Sequence, residues 1–172
     1  MAATYDLVTS QTFTGDTGTV TFTSFSSAYT DLIIQGHVNG SGNGDVYLRF
    51  NGDESSSNYY SLYANSSTTG FKNDKNYATN RIGVIGQYNS SQQSANPLFF
   101  EIVIPEYSNS GYNKNGVVNY SYIADSTVNR ANVGFMAWQW RNSSAITSIQ
   151  LKLTTGTFSG RINVYGIKAG TA

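Results

Sequence analysis

The chain of 172 residues has no cysteine, one histidine, two prolines and only 12% charged residues. The missing cysteines exclude disulfides, thiolate metal ligands and a thiol nucleophile together. With a single histidine, any Ser/His/Asp triad must use His37, and a zinc site would need carboxylates to complete its tetrahedron. His37 lies between Gly36 and Val38 in an alternating run and reads as an outward-facing polar residue. Ten basic residues balance ten acidic ones, so no net field draws in a phosphate backbone or an anionic bilayer, and neither nucleic acid nor membrane is expected as a partner. No run approaches eighteen apolar residues, and Met1 to Asp6 lacks a basic region followed by an apolar one; neither a leader nor a span is expected. Paired-carboxylate catalysis needs two acids at a defined separation. Glu101 falls on an outer strand face, Glu106 follows Pro105, and Asp53-Glu54 sits in a Gly/Ser-rich turn. The residues therefore point away from an enzyme, and no cofactor is expected.

What is abundant is uncharged polarity and β-forming bulk. Ser, Thr and Asn supply 58 residues, Ile and Val 22 against 7 Leu, and there are 13 Tyr and 17 Gly. β-branched and aromatic side chains suit a pleated, half-buried surface, and Gly suits turns. Ten short apolar runs divided by Gly, Asn, Ser and Asp clusters carry this composition. Within each, alternate residues share a face: Val46, Leu48 and Phe50 oppose Tyr47 and Arg49, and Leu98, Phe100, Ile102 and Ile104 oppose Phe99, Glu101 and Val103. The expected fold is all-β, an antiparallel, jelly-roll-like β-sandwich of about ten strands, in one domain over residues 1–172. Asn39-Gly40, Asn51-Gly52 and Asn115-Gly116 predict hairpins or tight corners. Gly52 to Asn58, Asn65 to Asn80 and Tyr107 to Asn115 read as loops, and Tyr59 to Ala64 as either a short strand or one helical turn. Pro97 and Pro105 bracket the run Leu98 to Ile104, as expected of residues that cannot donate to a ladder.

Several residues are candidates for contact. Trp138 and Trp140, two apart on a strand, point the same way about 7 Å apart, a spacing that suits a stacked sugar or base as well as a core or subunit contact. Tyr59, Tyr60 and Tyr63 flank a polar loop and, with the two tryptophans, are candidate glycan or partner contacts. Tyr47 and Arg49, read as outward-facing, are candidate subunit or surface contacts. Asn51, Asp53 and Glu54 offer oxygens to a calcium ion, although Asn51-Gly52-Asp53 also reads simply as a turn. Gly40 to Gly44 is followed by a strand and not by a helix, which makes it a loop and not a phosphate cradle. Five Asn-x-Ser/Thr sequons, at Asn39, Asn65, Asn89, Asn119 and Asn142, match what this composition produces by chance.

Two segments carry a resemblance. Val46-Tyr47-Leu48-Arg49-Phe50-Asn51-Gly52-Asp53 with Asn58-Tyr59-Tyr60, and Ile146 to Leu151 continuing through Arg161-Ile162-Asn163-Val164-Tyr165-Gly166-Ile167-Lys168, are similar to small β-sandwich virion surface proteins of tailed bacteriophages. Val164 stands where that family commonly has Leu. The apparent break in alternation at Tyr165-Gly166-Ile167 suggests a bulge at Gly166. The resemblance implies a virion exterior location and a capsid decoration or cement role as a symmetric oligomer, a trimer, bound to the major capsid protein or a tail protein. The alternative it leaves open is a tail-fibre tip or a carbohydrate-binding module facing a host-surface glycan.

Overall fold

A computed structural model describes residues 4–42, 44–67, 70–88, 97–125 and 130–168. Asn43 of the Gly-rich loop and the sequon at Asn89 lie outside them. Twelve strands follow one another: β1 (Thr4–Thr17), β2 (Thr19–Thr23), β3 (Asp31–Gly40), β4 (Gly44–Phe50), β5 (Tyr59–Ser67), β6 (Gly70–Thr79), β7 (Ile82–Tyr88), β8 (Leu98–Ile104), β9 (Lys114–Asp125), β10 (Arg130–Trp140), β11 (Ser148–Leu153) and β12 (Phe158–Lys168). They form an eight-stranded sheet in the order β1-β12-β3-β8-β9-β10-β5-β6 and a four-stranded sheet in the order β2-β11-β4-β7. All paired strands are antiparallel. The chain passes from one sheet to the other after β1, β2, β3, β4, β6, β7, β10 and β11. That wrapping is the jelly-roll pattern, widened by the β9-β10 hairpin inserted between β8 and β5. The described residues contain no helix.

One hydrophobic cluster joins the inner faces of both sheets. The large sheet contributes Leu32, Ile34, Val38, Leu98, Phe100, Ile102, Val118, Met136, Ile162 and Val164; the small sheet contributes Val20, Phe22, Val46, Leu48, Phe50, Ile149 and Leu151. The expected alternation is seen in β8, whose even-numbered residues are buried while Phe99 is exposed. In β10 the Met136, Trp138 and Trp140 face is the inner one, and Phe135 and Ala137 point outward. Pro97 and Pro105 flank β8 as expected.

The strand count differs because residues 65–67 and 70–79, within the stretch read as a loop, are the end of β5 and all of β6. GFKNDKNYAT has no apolar period to reveal a strand. It lies at the edge of the sheet, where the ladder to β5 holds its backbone along one side. Asn39-Gly40 ends β3, with the bend at Ser41-Gly42 directly after it, whereas Asn115-Gly116 is corrected: the pair lies inside β9. Gly116 is there for close approach, since a Cβ would sit 2.1 Å from the Val103 carbonyl oxygen and 2.5 Å from the Trp138 ring. Only Asn51-Gly52 is a turn, with φ of 53° and 66°. No bulge falls at Gly166 either. Burial alternates through Val164 and Gly166, and the register shifts of this pairing are in β1, between Leu7 and Thr9 and between Thr14 and Thr17. Gly166 leaves room for the Tyr29 ring, which a Cβ would meet at 2.3 Å.

Candidate functional site

The segment from Arg49 to Tyr59 carries the chain from the small sheet into the large one, and its polar side chains are consumed in making that corner. Asn51 Oδ1 accepts from Thr147 N at 2.8 Å and Ser148 N at 3.0 Å, while its Nδ2 donates to the Ala145 carbonyl at 2.8 Å. The Asp53 carboxylate accepts from Trp140 Nε1 at 2.7 Å, Asn58 Nδ2 at 2.8 Å and Ser55 N at 2.9 Å. Burial pushes the Asp53 carboxyl up, but the hydrogen bonds from Asn58, Trp140 and Ser55 outweigh it and bring it down to about 2. The Tyr59 hydroxyl accepts from Phe50 N at 3.1 Å and donates to the Asp53 carbonyl at 3.1 Å, and burial raises its pKa. Phe50 packs against Tyr59, Trp138 and Trp140 at ring separations of 5.1 to 6.4 Å. An oxygen ringed by N–H donors meets the positive ends of dipoles, the arrangement that suits a satisfied carboxylate and repels a cation. Asn51, Asp53 and Glu54 therefore do not converge on an ion; no group of three or more potential metal-ligating side chains occurs among the described residues.

The aromatic candidates divide by depth. Trp138 and Trp140 are 3% and 0% exposed and Tyr59 is 0% exposed, so these three pack the interior and have no face left for a sugar. Tyr63 is half-buried against the core. Tyr60 is on the outer face, where Arg141 lies over its ring at 5.3 Å and donates to its hydroxyl at 2.8 Å. Tyr47 and Arg49 point away from the core side of β4, as the alternation requires, yet they are buried, a correction to their reading as outward contacts. Guanidinium groups cover the Tyr47 ring, Arg49 at 5.1 Å and Arg81 at 4.8 Å from its centroid. Arg49 also pairs with Glu54 and donates to the Asn80 carbonyl at 3.1 Å. The cluster ties β4 to the chain before β7 and to the corner after Phe50. His37 is exposed on the outer face of β3, and Glu101 accepts from Gln35 Nε2 at 2.9 Å.

Composition gave no sign of two features. Lys114 is fully buried: its ammonium donates to the Tyr112 carbonyl at 3.0 Å and the Ser143 carbonyl at 3.2 Å, and desolvation lowers its pKa. It holds the loop before β9 to the loop after β10. The second is the outer face of the large sheet. Following the register from strand to strand, Leu7 pairs with Tyr165, Tyr165 with Ile33, Ile33 with Val103, Val103 with Val117, Val117 with Ala137 and Ala137 with Leu62. Seven apolar side chains thus form one row across seven adjacent strands, and the next position, on β6, is Lys75. Leu7 and Leu62, at its two ends, are each 59% exposed, whereas Ile33 within it is buried. Val133, Phe135 and Phe99 add exposed apolar surface in the flanking rows. Beside Leu62, Ala137, Tyr60, Lys75 and Gln139 line a shallow groove of about 260 Å³. Alternation alone exposes the polar side of each strand; only the register shows that the exceptions coincide. Comparison with family models, curated proteins and solved structures finds no match for this chain.

Proposed function

We propose that this protein is a virion structural protein of a tailed bacteriophage, an exterior capsid decoration or cement protein that acts by seating a sheet face and not by catalysis. The observation that supports the reading is the apolar surface on the outer face of the large sheet, where Leu7, Leu62, Phe99, Val133 and Phe135 are exposed around a buried Ile33. Monomeric soluble proteins rarely expose contiguous apolar patches beyond a few hundred Å², and larger ones mark interaction surfaces. The class of particle is taken from the resemblance of the Val46–Tyr60 and Ile146–Lys168 segments. The corner residues explain why the first of these segments reads as a signature: Arg49, Asn51, Asp53 and Tyr59 each make a contact that sets the passage between sheets. A tail-fibre tip would use the same attachment face, and its glycan contacts would have to come from Tyr60 and the groove beside it, since Trp138 and Trp140 are interior.

The test is to raise antibodies to the purified chain and image labelled particles of the phage that encodes it. Label distributed over the head supports decoration. Label confined to the tail tip moves the protein to the alternative, and label on neither ends the virion reading. Variants with lysine at Leu7 and Leu62 are expected to fold but to lose attachment.

A further inference from the structure

We infer that attachment through the outer face of the large sheet is switched by pH, with His37 as the switch: a proton on its imidazole loosens the seated protein. The inference rests on the reading of this face as the attachment surface and adds its regulation. His37 is the only histidine in the chain and is exposed on that face. Register sets its surroundings. The row through it runs Thr12, Arg161, His37, Phe99, Ser121 and Val133, so the imidazole stands between a guanidinium on β12 and a phenyl ring on β8. Side chains directly opposed on neighbouring strands have Cβ atoms about 4.5–5.5 Å apart. Arg161 is exposed, and Phe99 and Val133 belong to the exposed apolar surface that supports attachment.

The groups facing His37 are few. On its own strand the same face carries Gln35 and Asn39, which do not titrate, and on β12 it carries Asn163 and Ser159 on either side of Arg161. On β8 the one acid is Glu101, a diagonal neighbour about 7–8 Å away by strand geometry, and its carboxylate accepts from Gln35 Nε2 at 2.9 Å. A histidine changes its charge between about pH 5 and about pH 8. While the face is wet, water solvates the imidazolium and screens it from Arg161. Seating removes that water. Desolvation then disfavours the charged ring, the guanidinium one strand away disfavours it again, and Phe99 supplies apolar surface with no acceptor. Arg161 keeps its charge throughout this range, so its own cost is constant and only that of His37 varies. The unseated chain therefore binds the proton more readily than the seated one, and by linkage attachment is complete at the alkaline end and is lost as pH falls.

The full chain is mixed with particles that lack it, and the bound fraction is read by co-sedimentation from pH 8 to pH 5 at constant ionic strength. The expected result is a loss of affinity of at least about tenfold between about pH 7.5 and about pH 5, recovered on returning to pH 7.5. His37→Gln should keep the affinity seen at pH 8 and flatten the profile. His37→Lys, which carries its charge at every pH tested, should bind as weakly across the range as the wild type does in acid. Both variants should keep the thermal midpoint of the wild type, because the position is exposed. A flat wild-type profile, a profile that His37→Gln leaves unchanged, attachment that strengthens in acid, or full affinity in His37→Lys overturns the inference while leaving the attachment reading in place. No attachment by the wild type at any pH sinks the attachment reading and the switch with it.

Discussion

Asp53→Asn gives the sharpest test of how the corner works. The carboxylate accepts three N–H donors, and its pKa falls from 3.8 to about 2 on folding. A drop of about 1.8, at 1.36 kcal/mol per pKa unit, corresponds to about 2.4 kcal/mol; solvent screening of this half-buried group reduces it to about 1–2 kcal/mol. The sign follows from linkage. The folded state holds the carboxylate ionised while the unfolded chain begins to bind a proton near 3.8, so the stabilisation is complete above that value and is lost as pH falls through about 2. The asparagine variant keeps one oxygen but points an N–H₂ group toward a donor that the second carboxylate oxygen used to accept. Urea unfolding at fixed pH values from 7 to 2 should show it less stable than the wild type by about 1–2 kcal/mol at neutral pH, with the gap closing below pH 4. A gap that is absent at pH 7, or one that stays constant down to pH 2, would refute the assignment of Asp53 as the electrostatic pin of this turn.

Four further outcomes follow from packing and burial. Trp138→Ala should cost about 3–5 kcal/mol, read as a lowered midpoint in thermal or urea unfolding, because it empties an interior ring position; a glycan array should show no saccharide whose binding depends on this residue. Gly116→Ala should abolish soluble expression or cut stability by several kcal/mol, since its Cβ would overlap the Val103 carbonyl and the Trp138 ring. Gly52→Ala, at φ +66° with open space around it, should cost only about 1 kcal/mol. Lys114 has a lowered pKa in the fold, so between that value and 10.5 the unfolded chain binds the extra proton and stability attributable to this residue rises with pH. The difference in unfolding free energy between wild type and Lys114→Met should therefore shift in favour of the wild type from pH 7 to pH 10, and a difference independent of pH would contradict the burial of a charged amine.

Wherever a strand has one wet side, the architecture was legible in the residues to the level of inner and outer positions. In β8, β11 and β12 the period of two is printed in the apolar positions, because a pleated strand sends neighbours to opposite faces and only one face is dry. Proline bracketed β8 for the same reason that it cannot join a ladder. Periodicity does not encode which strands meet or in what register. β6 is a strand because β5 offers it a ladder, not because its residues alternate. Asn115-Gly116 is strand and not turn because the Trp138 ring crosses above it. Tyr47 and Arg49 lie on the polar side of their strand and are still buried, because Arg81 and Glu54 arrive from later in the chain. The aligned row from Leu7 to Leu62 likewise exists only through register: each residue is an unremarkable exception in its own strand, and hydrogen bonding between seven strands from distant parts of the chain brings those exceptions into one line. Local pattern sets which way a side chain points, whereas the neighbour it meets depends on pairings tens of residues away, and that is where the candidate site is made.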